Sequence, residues 1–129
     1  RALGAAGHTV IVISNSEGRV AELIAELGWA DCFELVADSG RLGMAKPAAG
    51  IFEWACLGVG RQCDELIHIG DSWSADVEGA LGVGARAIWF GGARGVARPP
   101  ASAAEDGRVR LVDSAAELSE ALRAWGLDF

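Results

Sequence analysis

The stretch Leu66-Ile67-His68-Ile69-Gly70-Asp71-Ser72-Trp73-Ser74-Ala75-Asp76-Val77-Glu78-Gly79-Ala80 decides the fold. It runs from a short apolar strand at 66–69, through a Gly-Asp turn, into a helix over about 75–81. A strand that ends in polar residues and leads straight into a helix opens a β–α unit. The same unit recurs on either side. Thr9-Val10-Ile11-Val12-Ile13 is a β-branched, nearly all-apolar run, as expected of a strand covered on both faces. Val20, Leu23, Ile24 and Leu27 then recur at helical spacing and predict a helix over 17–27, stopped by Gly28. A second strand is expected at 33–37 and a loop at 38–45. Pro47 suits the first turn of a helix carrying Ile51, Phe52, Trp54 and Ala55. Residues 86–90 read as a fourth strand, 91–107 (with Pro99-Pro100) as a surface loop, and 109–112 as a short edge strand. Leu118, Ala121, Leu122 and Trp125 repeat the helical period in a last helix. This alternation predicts an α/β fold, an open parallel sheet with helices on both faces, in a single domain over 1–129.

Composition narrows the function. The chain has 129 residues, 51% hydrophobic and 22% charged, which suits one compact domain with a core of its own and excludes a disordered chain. No apolar run approaches the roughly 20 residues that cross a bilayer, so no membrane is expected as a partner. No charged-then-apolar leader stands at the start. Eighteen acidic against 11 basic side chains, a net charge of −7, argue against nucleic acid as a partner, because phosphate backbones are held by Lys and Arg. Any phosphate bound here is small and met locally. Cys32, Cys56 and Cys63 form no C-x-x-C pair and read as reduced thiols, which points to the cytoplasm. His8 and His68 are isolated and make no zinc site. Lys46 is the only lysine in a chain whose other basic residues are all arginine, so it is expected to have a task that a guanidinium cannot perform.

In open parallel sheets ligands bind beyond the carboxyl ends of the strands. That rule selects Ser14-Asn15-Ser16, the turn at Asp38-Ser39, and the segment from Gly70 to Asp76, with Lys46 on a loop leaving the same edge. Ser14 lies at a strand-to-helix junction, a natural seat for phosphate. It equally opens the capping box Ser14-x-x-Glu17, and Ser16 could be the cap instead. Asp71, at the end of its strand, has the place and the hard oxygen donors that Mg²⁺ prefers. Asp76 could accept a proton, hold a metal-bound water or orient a lysine, and both carboxylates could simply cap a helix. Lys46 can neutralise a phosphoryl group as a flexible point charge, against the ordinary fate of a solvated lysine. His68 alternates with apolar neighbours and reads as structural. Trp73 could wall the site.

Together these motifs resemble a haloacid-dehalogenase-type (HAD-like) hydrolase. The resemblance is carried by Val-Ile-Val-Ile-Ser-Asn-Ser at 10–16, Lys46-Pro47-Ala48-Ala49-Gly50-Ile51-Phe52, His68 through Ala80, Gly84-Ala85-Arg86-Ala87-Ile88-Trp89-Phe90 and the Ser-x-x-Glu-Leu start of the last helix. It implies that Ser14, with Asn15 beside it, binds phosphoryl oxygens and that Lys46 offsets negative charge there. It further implies that Asp71 ligates Mg²⁺, and that Asp76 supports the metal's water shell or Lys46. It implies a small phosphorylated substrate and an aspartyl-phosphate intermediate. Asp71 leans the resemblance towards magnesium-dependent phosphatases rather than relatives that cleave carbon–halogen bonds. The family's nucleophile motif, Asp-x-Asp, occurs nowhere in the sequence. The chain is therefore expected to be the carboxyl-terminal part of a core, inactive alone and lacking a first strand and a cap. The missing central strand would leave a gap, closed by its two neighbouring strands or filled by self-association with another copy. Ser14, Lys46 and Asp71 are expected to converge on one rim. The alternative is a non-catalytic binding or regulatory module that keeps the fold. A response-regulator receiver fits less well, since its acidic pair and lysine come in a different order.

Overall fold

The computed structural model describes residues 1–91 and 99–129. They fall into two compact units, 1–62 with 128–129, and 63–127.

The first unit contains α1 (Ala2–Ala5), β1 (Ile11–Ser14), α2 (Val20–Glu26), a 3₁₀ turn (Ala30–Cys32), β2 (Leu35–Asp38), α3 (Ser39–Leu42) and α4 (Ala49–Gly58). β1 and β2 are parallel and in register from Ile11 opposite Leu35 to Ser14 opposite Asp38. Both strands therefore end in a polar residue at the same level. Ile51, Phe52, Ala55 and Cys56 form the buried side of α4, which packs against β1 and β2, while Trp54 and Leu57 are exposed. Phe52 is fully buried, and each such side chain contributes about 1.5–3 kcal/mol. α2, by contrast, buries none of its residues, and Leu23 and Leu27 on its predicted apolar stripe are exposed. The end of the chain returns to this unit, where His8 Nε2 lies 2.8 Å from the carbonyl oxygen of Asp128.

The second unit contains a 3₁₀ turn (Cys63–Glu65), β3 (Ile67–Gly70), a π-helical turn (Trp73–Glu78) and α5 (Gly79–Gly82). β4 (Arg86–Phe90), a 3₁₀ turn (Ala101–Glu105), β5 (Val109–Val112) and α6 (Ala115–Ala124) follow. The sheet is parallel in the order β3-β4-β5. Central β4 buries Ala87, Ile88 and Trp89 in succession, as a strand covered on both faces must. β5 is the expected edge strand. α6 covers the sheet with Ala121 and Leu122, and the indole of Trp125 after it lies under two guanidinium groups, those of Arg86 and Arg110, at 4.8 and 5.1 Å.

The expected α/β architecture of parallel strands and helices is present, with the strands arranged in two sheets rather than one. Four local expectations are corrected. The helix expected over 17–27 begins only at Val20, and its cap is neither Ser14 nor Ser16, because Ser14 is still strand and the amide of Val20 is met by the Asp38 carboxylate. The loop expected over 38–45 contains α3, capped by Asp38 through the amide of Gly40. The helix expected over 75–81 starts as a π-helical turn, since the amide of Val77 reaches back to the carbonyl of Ser72. Of the loop expected over 91–107, residues 92–98 lie outside the described residues, and Ala101–Glu105 form a 3₁₀ turn with Ala103 buried.

Candidate functional site

In the first unit the ends of β1 and β2 are held by one dense set of hydrogen bonds. The Asp38 carboxylate is 2% exposed and accepts from three main-chain amides, Gly18 at 3.0 Å, Gly40 at 2.9 Å and Val20 at 3.0 Å. The amide of Val20 contributes most to holding its pKa below the usual 3.8. Burial opposes this, and the amides of Gly40 and Gly18 and the charge of Arg41 assist. Beside it, Ser39 Oγ accepts from the amide of Ser16 at 2.8 Å and donates to the carbonyl of Ser16 at 3.0 Å. Ser14 and Ser16 join their hydroxyls. Only glycine fits at position 40, because a Cβ there would collide with the main chain of Glu17 and Gly18.

Asn15 fastens the other side of this loop. Its Nδ2 donates to the carbonyl of Lys46 at 3.0 Å and its Oδ1 accepts from the amide of Lys46 at 2.8 Å. Lys46 precedes a cis peptide bond to Pro47. The structure thus joins Asn15, the residue after Ser14, to Lys46, and directs the Asn15 carboxamide at the main chain of Lys46.

In the second unit Asp71 follows β3 and is exposed. Its carbonyl accepts from the Trp89 indole at 2.9 Å, and its carboxylate makes no hydrogen bond or ion pair among the described residues. Asp76 is 5% exposed, accepts from the amide of Ser72 at 3.0 Å and meets His68 Nε2 at 2.8 Å. Its carboxylate lies directly over Gly70, where a Cβ would strike it. Ser72, not either aspartate, caps the π-helical turn, through the amide of Ala75 at 3.2 Å. Trp73 is half-buried in that turn.

No group of three or more His, Cys, Asp or Glu is gathered for a metal ion among the described residues. Magnesium does not require one, since it is often held by one or two carboxylates with water and phosphate oxygens. The uncommitted carboxylate of Asp71 fits that mode. Asp76, buried and hydrogen-bonded to protein donors, fits a supporting place better than direct ligation. Sequence reasoning selected the turn at Asp38-Ser39 without giving either residue a role, and did not single out Trp89 for the site. The signal for Asp38 was its position in Asp-Ser-Gly at a strand end, where a carboxylate bonds amides two residues on.

Parallel β–α units with hydroxyl, amide and carboxylate groups at their strand ends define the class of α/β proteins, in which ligands are commonly taken at such ends. The chain belongs to the haloacid dehalogenase-like hydrolases, whose family model matches residues 1–84. It is 35% identical over 88 residues to a phosphoserine phosphatase of Thermus thermophilus, a match covering 68% of this chain and 34% of that protein. It is 33% identical over 63 residues to the 5-amino-6-(5-phospho-D-ribitylamino)uracil phosphatase YigB of Escherichia coli, covering 49% of this chain and 26% of that protein. The chain thus spans about a third or less of the length of these curated relatives. The fold matches a HAD phosphatase structure from Thermococcus onnurineus with a TM-score of 0.80 at 24% identity, over 98% of this chain and 54% of that one. No helix among the described residues is long and apolar enough to cross a membrane.

Proposed function

We propose that this chain carries the phosphoryl-binding and metal-binding parts of a magnesium-dependent phosphatase that acts on a small phosphorylated metabolite in the cytoplasm. The observation that carries the reading is the bond between Asn15 and Lys46, which ties the chain's one lysine to the residue after Ser14 at the end of β1. A hydroxyl and a lysine held at one strand end suit a phosphoryl group, whose transfer depends mainly on positioning and charge stabilisation. In this reading Ser14 donates to a phosphoryl oxygen and Lys46 offsets its charge. Asp71 would hold Mg²⁺, which when bound supplies positive charge to phosphoryl oxygens. Asp76 would support that place from behind. The two named phosphatase relatives favour phosphate over other leaving groups. The nucleophilic aspartate would have to come from outside these residues, because the sequence holds no Asp-x-Asp.

The test is hydrolysis of p-nitrophenyl phosphate by the complete protein, with and without Mg²⁺, alongside titration of this chain with inorganic phosphate. Metal-dependent turnover, and phosphate binding weakened but still measurable in Lys46→Met, support the reading. Phosphate binding without turnover would favour the alternative, a binding or regulatory module. Absence of both would overturn the phosphatase reading. Self-association, proposed from the two separate sheets, is tested by sedimentation; a monomer at all concentrations removes it.

A further inference from the structure

We propose that Asn15 is a positioning residue for Lys46 rather than a ligand to the phosphoryl group. This rests on the proposed phosphatase reading for its purpose, but not for its geometry.

A carboxamide has the same donor–acceptor pair as a peptide group. Asn15 presents both to one residue, Nδ2 to the Lys46 carbonyl at 3.0 Å and Oδ1 to the Lys46 amide at 2.8 Å. This is one rung of a strand-like pairing, made by a side chain. It also fixes which end of the carboxamide is which, because the reversed group would set donor against donor and acceptor against acceptor. Between the end of α3 at Leu42 and the start of α4 at Ala49, the amide of Gly43 bonds to the carbonyl of Ser39 and the amide of Ala48 to the carbonyl of Ala45. The other end of the clamp is firm. Asn15 follows β1 directly, and its neighbour Ser16 is bonded through both its amide and its carbonyl to Ser39. Asn15 therefore transmits the position of β1, and with it Ser14, to the main chain of Lys46.

The test compares the wild-type chain with Asn15→Ala, Asn15→Asp, Lys46→Met and the double variant Asn15→Ala/Lys46→Met. Hydrogen exchange of the Lys46 amide is read by NMR, and affinity for inorganic phosphate by titration. Asn15→Ala should speed Lys46 amide exchange about tenfold or more, while Asn15→Asp, which keeps the acceptor for the amide but sets its second oxygen against the Lys46 carbonyl, should speed it less. Asn15→Ala should weaken phosphate about fivefold in the wild-type background and have no further effect when Lys46 is already Met. Unchanged Lys46 exchange in Asn15→Ala would overturn the proposal. So would additive losses in the double variant, since they would mean that Asn15 meets the anion itself. If the wild-type chain binds no phosphate, the phosphatase reading fails and the exchange measurements alone decide the clamp. If Asn15→Ala does not fold, Lys46 amide exchange faster in Asn15→Asp than in the wild type supports the clamp, and unchanged exchange overturns it.

Discussion

His68 Nε2 and Asp76 Oδ1 lie 2.8 Å apart with both side chains buried, joining β3 to the π-helical turn that follows it. Buried polar groups are costly to strip of a partner, more so when one is a carboxylate. His68→Leu should therefore destabilise the chain by about 1–3 kcal/mol, read as a lower urea midpoint with an unchanged slope. A midpoint equal to that of the wild type would mean that the pair contributes nothing to folding.

Gly70 lies beneath the same carboxylate. A methyl at this position would strike the Asp76 side chain, which is itself held by His68 and by the amide of Ser72 and so has little room to yield. Gly70→Ala is expected to cost about 1–3 kcal/mol as an overpacked site and to lower the melting temperature. Gly82→Ala, on α5 with open space around it, serves as the control and should melt as the wild type does.

Asp38 predicts how the fold responds to acid. Its carboxyl is held below its usual 3.8 in the folded chain, chiefly by the amide of Val20. The folded chain thus binds fewer protons there than the unfolded one. The stabilisation is complete above the unfolded value and is lost as pH falls through the folded value. Urea midpoints should drop between about pH 5 and about pH 3, and the drop should be shallower in Asp38→Asn. The same variant should already be weaker at neutral pH by about 1–3 kcal/mol, because an amide nitrogen then faces a main-chain donor. Parallel pH profiles for the two proteins would show that Asp38 is not responsible.

Asp71 separates binding from folding. It is exposed and its carboxylate makes no hydrogen bond or ion pair among the described residues, so Asp71→Asn should leave the urea midpoint within about 0.5 kcal/mol of the wild type. On the proposed reading it should abolish the heat of Mg²⁺ binding by the complete protein in a calorimetric titration. Unchanged Mg²⁺ affinity would remove the metal assignment.

The strands were legible because a β-branched run such as Val10–Val12, or the apolar 86–90, leaves few other readings. The rule that ligands gather at strand ends selected Asn15 and Lys46, which the fold joins by two hydrogen bonds. Three features escaped for physical reasons. α3 is a single turn, Ser39-Gly40-Arg41-Leu42, with no room for an apolar period. The start of α2 depends on Asp38, a residue remote in sequence, so local cap rules placed it too early at Ser14. The π-helical turn differs from an α-helix by one residue of reach, which side-chain pattern does not encode. Asn15 reads as a ligand from its neighbours in sequence, and its bonds to the remote Lys46 are visible only in the fold.

The Asp38 carboxylate has a mechanical consequence. The first turns of α2 and α3 hang from this one side chain, through Val20 and Gly18 on one side and Gly40 on the other. Neither helix can fray at its beginning without loosening the hook that the other shares. A protease able to nick one of these segments should accordingly gain access to both in the same kinetic phase.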